Sequence, residues 1–325
     1  MSQMNLAQAI NDALGVAMAG DERVIVLGQD VGRAGGVFRV TDGLFEEFGE
    51  DRVIDAPIAE SGIVGTAFGM AVAGLRPIAE IQFLGFAYPA YDQLVSHVGR
   101  IRNRSRHRFT APMVVRVPFG GGIGAAEHHS ESSEAILAHT PGIKVVAASR
   151  PADAKGLLLA AVEDPDPVVF LEPIRMYRAV KEDVPEGHYT VPIGKARVLR
   201  EGTDVTIVAY GSMVREALRA ADLLDAEASS ADVIDLRSLS PLDADTVVGS
   251  VRKTGRAVVV TEGHRTAGLA SEIAALIAEG ALYSLLAPVE RVTGWDLVVP
   301  LKRTEQYHVP DTERILMAVR RTLEA

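Results

Sequence analysis

The 325-residue chain contains no cysteine, which excludes disulfide bonds, thiolate metal centres and cysteine nucleophiles. It has no uncharged apolar run approaching the roughly 18 residues needed to span a bilayer. Its first residues, Met-Ser-Gln-Met-Asn-Leu, have neither the basic start nor the apolar centre of a secretory leader. A cytoplasmic protein that engages no membrane is the expectation. Basic residues are also in deficit: 33 Lys and Arg against 43 Asp and Glu give a formal net charge of −10, which disfavours non-specific binding to nucleic acid. The cluster Arg100 to Arg108 holds five arginines and a histidine but no interleaved aromatic ring for base stacking. A solvated helix end or a subunit contact explains it better than a phosphate site. There is no G-x-S-x-G elbow for a serine hydrolase. There is also no H-E-x-x-H or H-x-x-x-H spacing to bring two imidazoles onto one helical face for zinc.

What is present is a globular composition, 48% hydrophobic and 23% charged, in a chain long enough for two domains. Leu6, Ala9, Ile10, Ala13, Leu14 and Ala17 form one apolar helical stripe. Short apolar runs then alternate with helical segments. Strands are predicted at Val24 to Leu27, Val53-Ile54, Pro77 to Ile81, Met113 to Val117, Ile143 to Ala147 and Val168 to Leu171. Helices are predicted near Leu44 to Phe48, Ser61 to Gly74 and Tyr88 to Arg104. This alternation implies a mostly parallel sheet covered on both faces. Glu172 to Thr203, with Pro173, Pro185, Pro192 and Lys181-Glu182-Asp183, breaks the rhythm as a linker with edge structure, placing domains at 1–187 and 188–325. The second half restarts it. Strands are expected at Val205 to Ala209, Asp232 to Leu236, Ala257 to Thr261 and Val289 to Val292. Helices are expected after a Ser212 cap, around Asp243 to Lys253, from Leu269 to Ile277 and after Pro310.

Two places carry chemistry. After the strand ending at Val117 comes a glycine turn, Gly120-Gly121-Gly122-Ile123-Gly124, and then Glu127-His128-His129-Ser130-Glu131-Ser132. Imidazole is the side chain that both takes and gives a proton near neutral pH. The turn satisfies G-x-G-x-x-A, but Pro118 and the histidine segment stand where a dinucleotide-binding helix should open, and no acidic residue caps the next strand. A structural turn that lets a loop pass close to a ligand fits better. Metal binding by Glu127, His128 and His129 is disfavoured because adjacent residues rarely point at one ion. The second place is Asp55-Ala56-Pro57-Ile58-Ala59-Glu60-Ser61-Gly62. There a carboxylate at a strand-to-helix junction is either a first-turn residue favoured by the helix dipole or an acid facing a heterocycle.

Over essentially its full length the chain resembles the beta subunit of the decarboxylating, thiamine-diphosphate-dependent component of 2-oxo acid dehydrogenase complexes. The segments that carry the resemblance, in order, are Val26-Leu27-Gly28-Gln29-Asp30-Val31-Gly32, Gly35-Gly36-Val37-Phe38, Pro57 to Gly62, Ala79-Glu80-Ile81-Gln82-Phe83 and Glu127 to Ser130. Asp164-Pro165-Asp166-Pro167 through Glu172-Pro173 and Val233-Ile234-Asp235-Leu236-Arg237 follow. The resemblance implies an α/β, transketolase-like fold: a pyrimidine-binding domain and a transketolase C-terminal domain, each with a mostly parallel sheet. It implies an α2β2 heterotetramer that is active only with the alpha subunit and that serves a lipoyl acyltransferase core.

By the same resemblance Glu60 hydrogen-bonds the cofactor's aminopyrimidine ring, Gln82, Phe86 and Gln29 line it, and Ile58 and Ala59 supply backbone contacts. Phe83, Leu84, Gly85 and Phe86 wall the acyl pocket. His129 lies beside the substrate and assists proton transfer during acylation of the lipoyl group. His128 has no assigned role. Ala161, Asp164 and Asp166 resemble a structural K⁺ site built on backbone oxygens. The Gly-Asp-Gly of thiamine enzymes, followed by an asparagine, is missing, so Mg²⁺ and the diphosphate fall to the alpha subunit and this chain carries half of a site. Three residues depart from the family pattern or vary within it. Gln29 stands where most members have Glu. Glu131 stands where branched-chain members often have Gln, and Phe86 where some have Tyr. Trp295 to Pro300 lacks the usual Asp-x-Pro-x-Pro. Gly85 beside Phe83 and Phe86 leaves room for a branched-chain 2-oxo acid, with pyruvate and acetoin dehydrogenases as alternatives. From another class comes a mainly docking subunit with a degenerate site, as Gln29 hints.

Overall fold

A computed structural model describes residues 1–325, which fold as two compact units. The first comprises Met1–Phe119 and Ile136–Ile193; the second comprises Gly120–Ala135 and Gly194–Ala325.

In the first unit the apolar runs become parallel strands, in the spatial order Lys144–Ala147, Val168–Pro173, Val114–Phe119, Arg76–Glu80, Val24–Gly28 and Val53–Asp55. Val24–Gly28 is buried at every residue, as expected of a strand covered on both faces. Each Val, Leu or Ile taken from water there contributes about 1.5–3 kcal/mol. Helix Leu6–Gly20 opens on a capping box: Asn5 Oδ1 accepts from Gln8 N at 3.0 Å, and Gln8 Oε1 accepts from Asn5 N at 3.1 Å. Its apolar stripe packs on helix Pro151–Glu163, which the hydrophobic pattern does not announce. A short antiparallel pairing of Ser2–Met4 with Glu182–Val184, a two-stranded sheet of its own, supplies the strand structure within the proline-rich stretch.

The continuous helix predicted for Tyr88 to Arg104 is broken into a 3₁₀ segment at Leu84–Ala90, a helix at Tyr91–Ser96, a 3₁₀ turn at Val98–Arg100 and a short helix at Ile101–Arg104. Pro89 lies within the first piece. At Gly99 an added Cβ would stand 2.7 Å from the Pro141 carbonyl oxygen, so close backbone packing sets the break. Three of the five arginines of this region hold partners, Arg100 the Val95 carbonyl at 2.9 Å. Arg102 pairs with Asp166 at 2.6 Å, and Arg104 reaches the Ser96 carbonyl at 2.6 Å.

The second unit has its own sheet, Glu290–Gly294, Ala257–His264, Val205–Ala209, Ala231–Asp235 and Arg197–Arg200, parallel except for the last strand. Helices Met213–Ala226 and Thr312–Glu324 pack together on a core that includes Ile207, Val233, Val258, Leu224 and Ile315. Helix Ala244–Thr254 is capped by Asp243, whose side chain accepts from Thr246 N. Ser212 does not cap its helix through its side chain, contrary to the sequence reading. Its hydroxyl donates to buried Glu262 at 2.8 Å instead.

Candidate active site

Three adjacent parallel strands of the first unit end together. Gly28 is in register with Asp55 on one side and with Glu80 on the other. The residues just past those ends therefore share the carboxyl edge of the sheet, where open α/β sheets take their ligands. Gln29 follows the first strand, Ala56 to Glu60 the second and Gln82 the third. The edge is laced together. Ala56 N donates to Gly28 O at 2.8 Å, and Gly32 N donates to Asp55 Oδ1 at 2.7 Å. Gln82 Nε2 reaches Gln29 O at 3.4 Å and Asp30 Oδ2 at 3.3 Å. A Cβ at Gly32 would fall 2.6 Å from an Asp55 oxygen, so the glycine lets this carboxylate come close to its main chain.

Glu60 is the first residue of helix Glu60–Val72, with Ala59 at the cap and no side chain closing it. Its half-buried carboxylate thus lies in the first turn, where free N–H groups and the helix dipole favour negative charge. The neighbouring Ser61 hydroxyl donates to the Pro89 carbonyl, tying this helix start to the 3₁₀ segment that carries Phe86. Ile58 and Ala59 are exposed. A carboxylate, a carboxamide, the exposed residues Ile58 and Ala59 and a half-buried aromatic ring form a set that suits a flat aminopyrimidine. None of them is a cation or a diphosphate ligand.

Three of the four residues that the resemblance assigns to the pocket wall are buried. Phe83 and Leu84 are buried in the core, and Gly85 is buried with them. Phe83 meets both Phe38 and Phe86 edge-on at 5.4 Å, and Phe86 alone of the four keeps an accessible face.

Beneath the edge lies a charge cluster that sequence reasoning passed over. Buried Arg116 donates to Glu172 through Nε and Nη2 at 2.7 and 2.9 Å, and to Glu80 through Nη1 at 2.7 Å. The Tyr177 hydroxyl adds a bond to Glu172 at 2.6 Å. Burial pushes the Glu80 carboxyl up from its ordinary range, against the pull of Arg116. The signal was present in the sequence as one arginine inside Val114-Val115-Arg116-Val117.

His129 belongs to the second unit. Its Nδ1 stands 2.8 Å from the Glu127 carbonyl, and its main-chain N–H donates to Ala126 O at 3.2 Å. A carbonyl only accepts, so a neutral ring carries its proton on Nδ1 and its lone pair on Nε2. His128 adopts a left-handed backbone and is exposed. No cluster of three His, Asp or Glu side chains suited to a metal occurs anywhere in the chain. Ala161 is buried in its helix, Asp164 takes Lys144 at 2.6 Å and Asp166 takes Arg102. With both carboxylates engaged, a K⁺ there would be held by main-chain oxygens.

Residues 2–180 match the family model for the transketolase pyrimidine-binding domain, and residues 194–315 match that for the transketolase C-terminal domain. A solved chain described as a split-gene transketolase, an inactive beta4 tetramer, superposes with a TM-score of 0.80 at 25% identity over 99% of both chains. Fold and edge together define a transketolase-like protein of the thiamine-diphosphate-dependent class. The pyruvate dehydrogenase E1 component subunit beta of Acholeplasma laidlawii is 54% identical, covering 100% of this chain and 99% of the relative. That of Bacillus subtilis (strain 168) is 51% identical with both chains fully covered. The chain belongs to the family of beta subunits of the thiamine-dependent decarboxylating component of 2-oxo acid dehydrogenases.

Proposed function

We propose that the chain is the beta subunit of a pyruvate-decarboxylating, lipoyl-acylating dehydrogenase, active only with an alpha subunit in an α2β2 assembly, cytoplasmic, and serving a lipoyl acyltransferase core. The observation that supports this most is the convergence of Gln29, Glu60 and Gln82 at one sheet edge, with Phe86 tied to it through Ser61. That set fits the pyrimidine half of the cofactor and leaves Mg²⁺ and the diphosphate to the partner. Pyruvate is preferred to the branched-chain substrate of the sequence reading for two reasons. The relatives at 49–54% identity are named as pyruvate dehydrogenase subunits. In addition, the aromatic rings thought to leave space beside Gly85 pack on one another and on the core.

Thiamine diphosphate, when bound, supplies the electron sink for decarboxylation. The protein's part is positional and protic. Glu60 would hold a hydrogen bond to the aminopyrimidine ring, Gln82 would orient that ring, and Phe86 would offer it a face. His129, with its lone pair on Nε2, would take the proton lost from oxygen as the two-carbon unit left by decarboxylation is oxidised to an acyl group, and deliver it to the sulfur that does not receive that group as the lipoyl S–S bond opens and is reduced.

The test is made on the reconstituted tetramer. Glu60→Gln is expected to lower decarboxylation of pyruvate by about 10²- to 10⁴-fold, and His129→Ala to lower lipoyl acylation by about 10²-fold. If both variants keep full activity and cofactor affinity, the catalytic reading fails and a docking subunit remains. Comparing kcat/KM for pyruvate and for branched 2-oxo acids decides the substrate.

A further inference from the structure

We propose that Glu305 is the positioning residue for the His129 loop, and hence for acyl transfer; this rests on the reading of His129 given above. Glu305 opens the short helix Glu305–His308 and is 5% exposed. Its Oε1 accepts from Gly122 N at 2.8 Å and from the Ser130 hydroxyl at 3.0 Å, and its Oε2 accepts from Gly124 N at 2.7 Å. Two donors precede His129 and the third follows it directly, so one buried carboxylate grips the loop on both sides of the imidazole. The neck of the loop is closed by Gly120 N donating to Glu131 O at 3.0 Å.

The glycine turn is explained by the same grip. A Cβ at Gly121 would stand 3.1 Å from Glu305 Oε1 and 3.2 Å from Val309. At Gly124, whose φ is +65°, a Cβ would stand 2.9 Å from the Lys302 side chain. At Gly121 and Gly124 the loop lies against residues 302–309 with little room for a side chain, and the main-chain donors of Gly122 and Gly124 are aimed at the carboxylate. Such charge-assisted bonds to a buried acceptor are the stronger kind and fix geometry. The ring of His129 is held by the loop's own main chain through Glu127, and the loop is held by Glu305. Glu305 therefore acts on His129 through the backbone. Proton transfer tolerates little displacement, since an error of about 1 Å can cost about 10²-fold in rate.

The experiment uses α2β2 tetramers carrying Glu305→Ala, Ser130→Ala, His129→Ala and the Glu305→Ala/His129→Ala pair. Acylation of an isolated lipoyl domain is compared with decarboxylation of pyruvate read by a dye electron acceptor. Glu305→Ala is expected to slow lipoyl acylation by about 10²-fold while the dye-coupled rate is retained. Ser130→Ala, the milder variant, should slow it by about 10-fold. The double variant should acylate no more slowly than His129→Ala alone, because the two act as one unit. Limited proteolysis should cut faster between residues 120 and 130 in Glu305→Ala. Effects that multiply in the double variant, or loop cleavage unchanged in Glu305→Ala, would overturn the inference. If His129→Ala leaves acylation intact, the catalytic reading of His129 fails, and the cleavage rate still decides whether Glu305 holds the loop.

Discussion

Arg116 shows what a single buried charge does in this molecule. It has two carboxylates for partners, and removing it would leave Glu80 and Glu172 without their cation in the core. Arg116→Met is expected to cost about 3–5 kcal/mol, measured by denaturant unfolding; a loss below about 1 kcal/mol, the scale of an exposed ion pair, would contradict a buried network. Glu134 is a second buried acid. It accepts a hydrogen bond from the Tyr210 hydroxyl, and burial lifts its carboxyl to about 7 against that bond. The folded state therefore prefers the neutral form. The associated stability is fully present below the ordinary carboxyl value of 4.5 and is lost as pH rises through about 7. Glu134→Gln is neutral throughout, so it should gain on the parent by on the order of 3 kcal/mol between pH 4.5 and pH 8. Parallel pH profiles of urea midpoints for the two proteins would refute this. Of the proposed functional side chains, Glu60 and His129 were legible through the family resemblance of the segments that carry them. Glu305 was not, because its donors lie 175 to 183 residues away in the chain and only folding brings them together.

At the scale of elements, the apolar runs made the parallel strands easy to find, because a strand buried on both faces has no polar positions to interrupt it. The same burial hid helix Pro151–Glu163. Ten of its thirteen residues are buried, so it has no polar face and no 3.6-residue period to detect. The expected Tyr88 to Arg104 helix failed for the opposite reason: its local pattern is helical, but Gly99 must lie against Pro141 and Gly142. Gly99→Ala, a mild change in an isolated helix, is expected here to destabilise by about 1–3 kcal/mol. Thermal or denaturant unfolding checks it, and a stabilised variant would show that the break is not enforced by packing.

At the scale of the whole molecule, the order of the motifs indicated the family from end to end, while the assignment of Gly120–Ala135 to the second unit rests on long-range contacts that no local pattern displays. The absence of Gly-Asp-Gly is the feature with the widest consequence, for the proposal that this chain is the pyrimidine-binding half of a shared thiamine site rests on it. The direct test is release of CO₂ from pyruvate in the presence of thiamine diphosphate and Mg²⁺, by this chain alone, by its alpha partner alone and by the reconstituted tetramer. Turnover is expected only from the tetramer; appreciable decarboxylation by this chain alone would contradict a shared site.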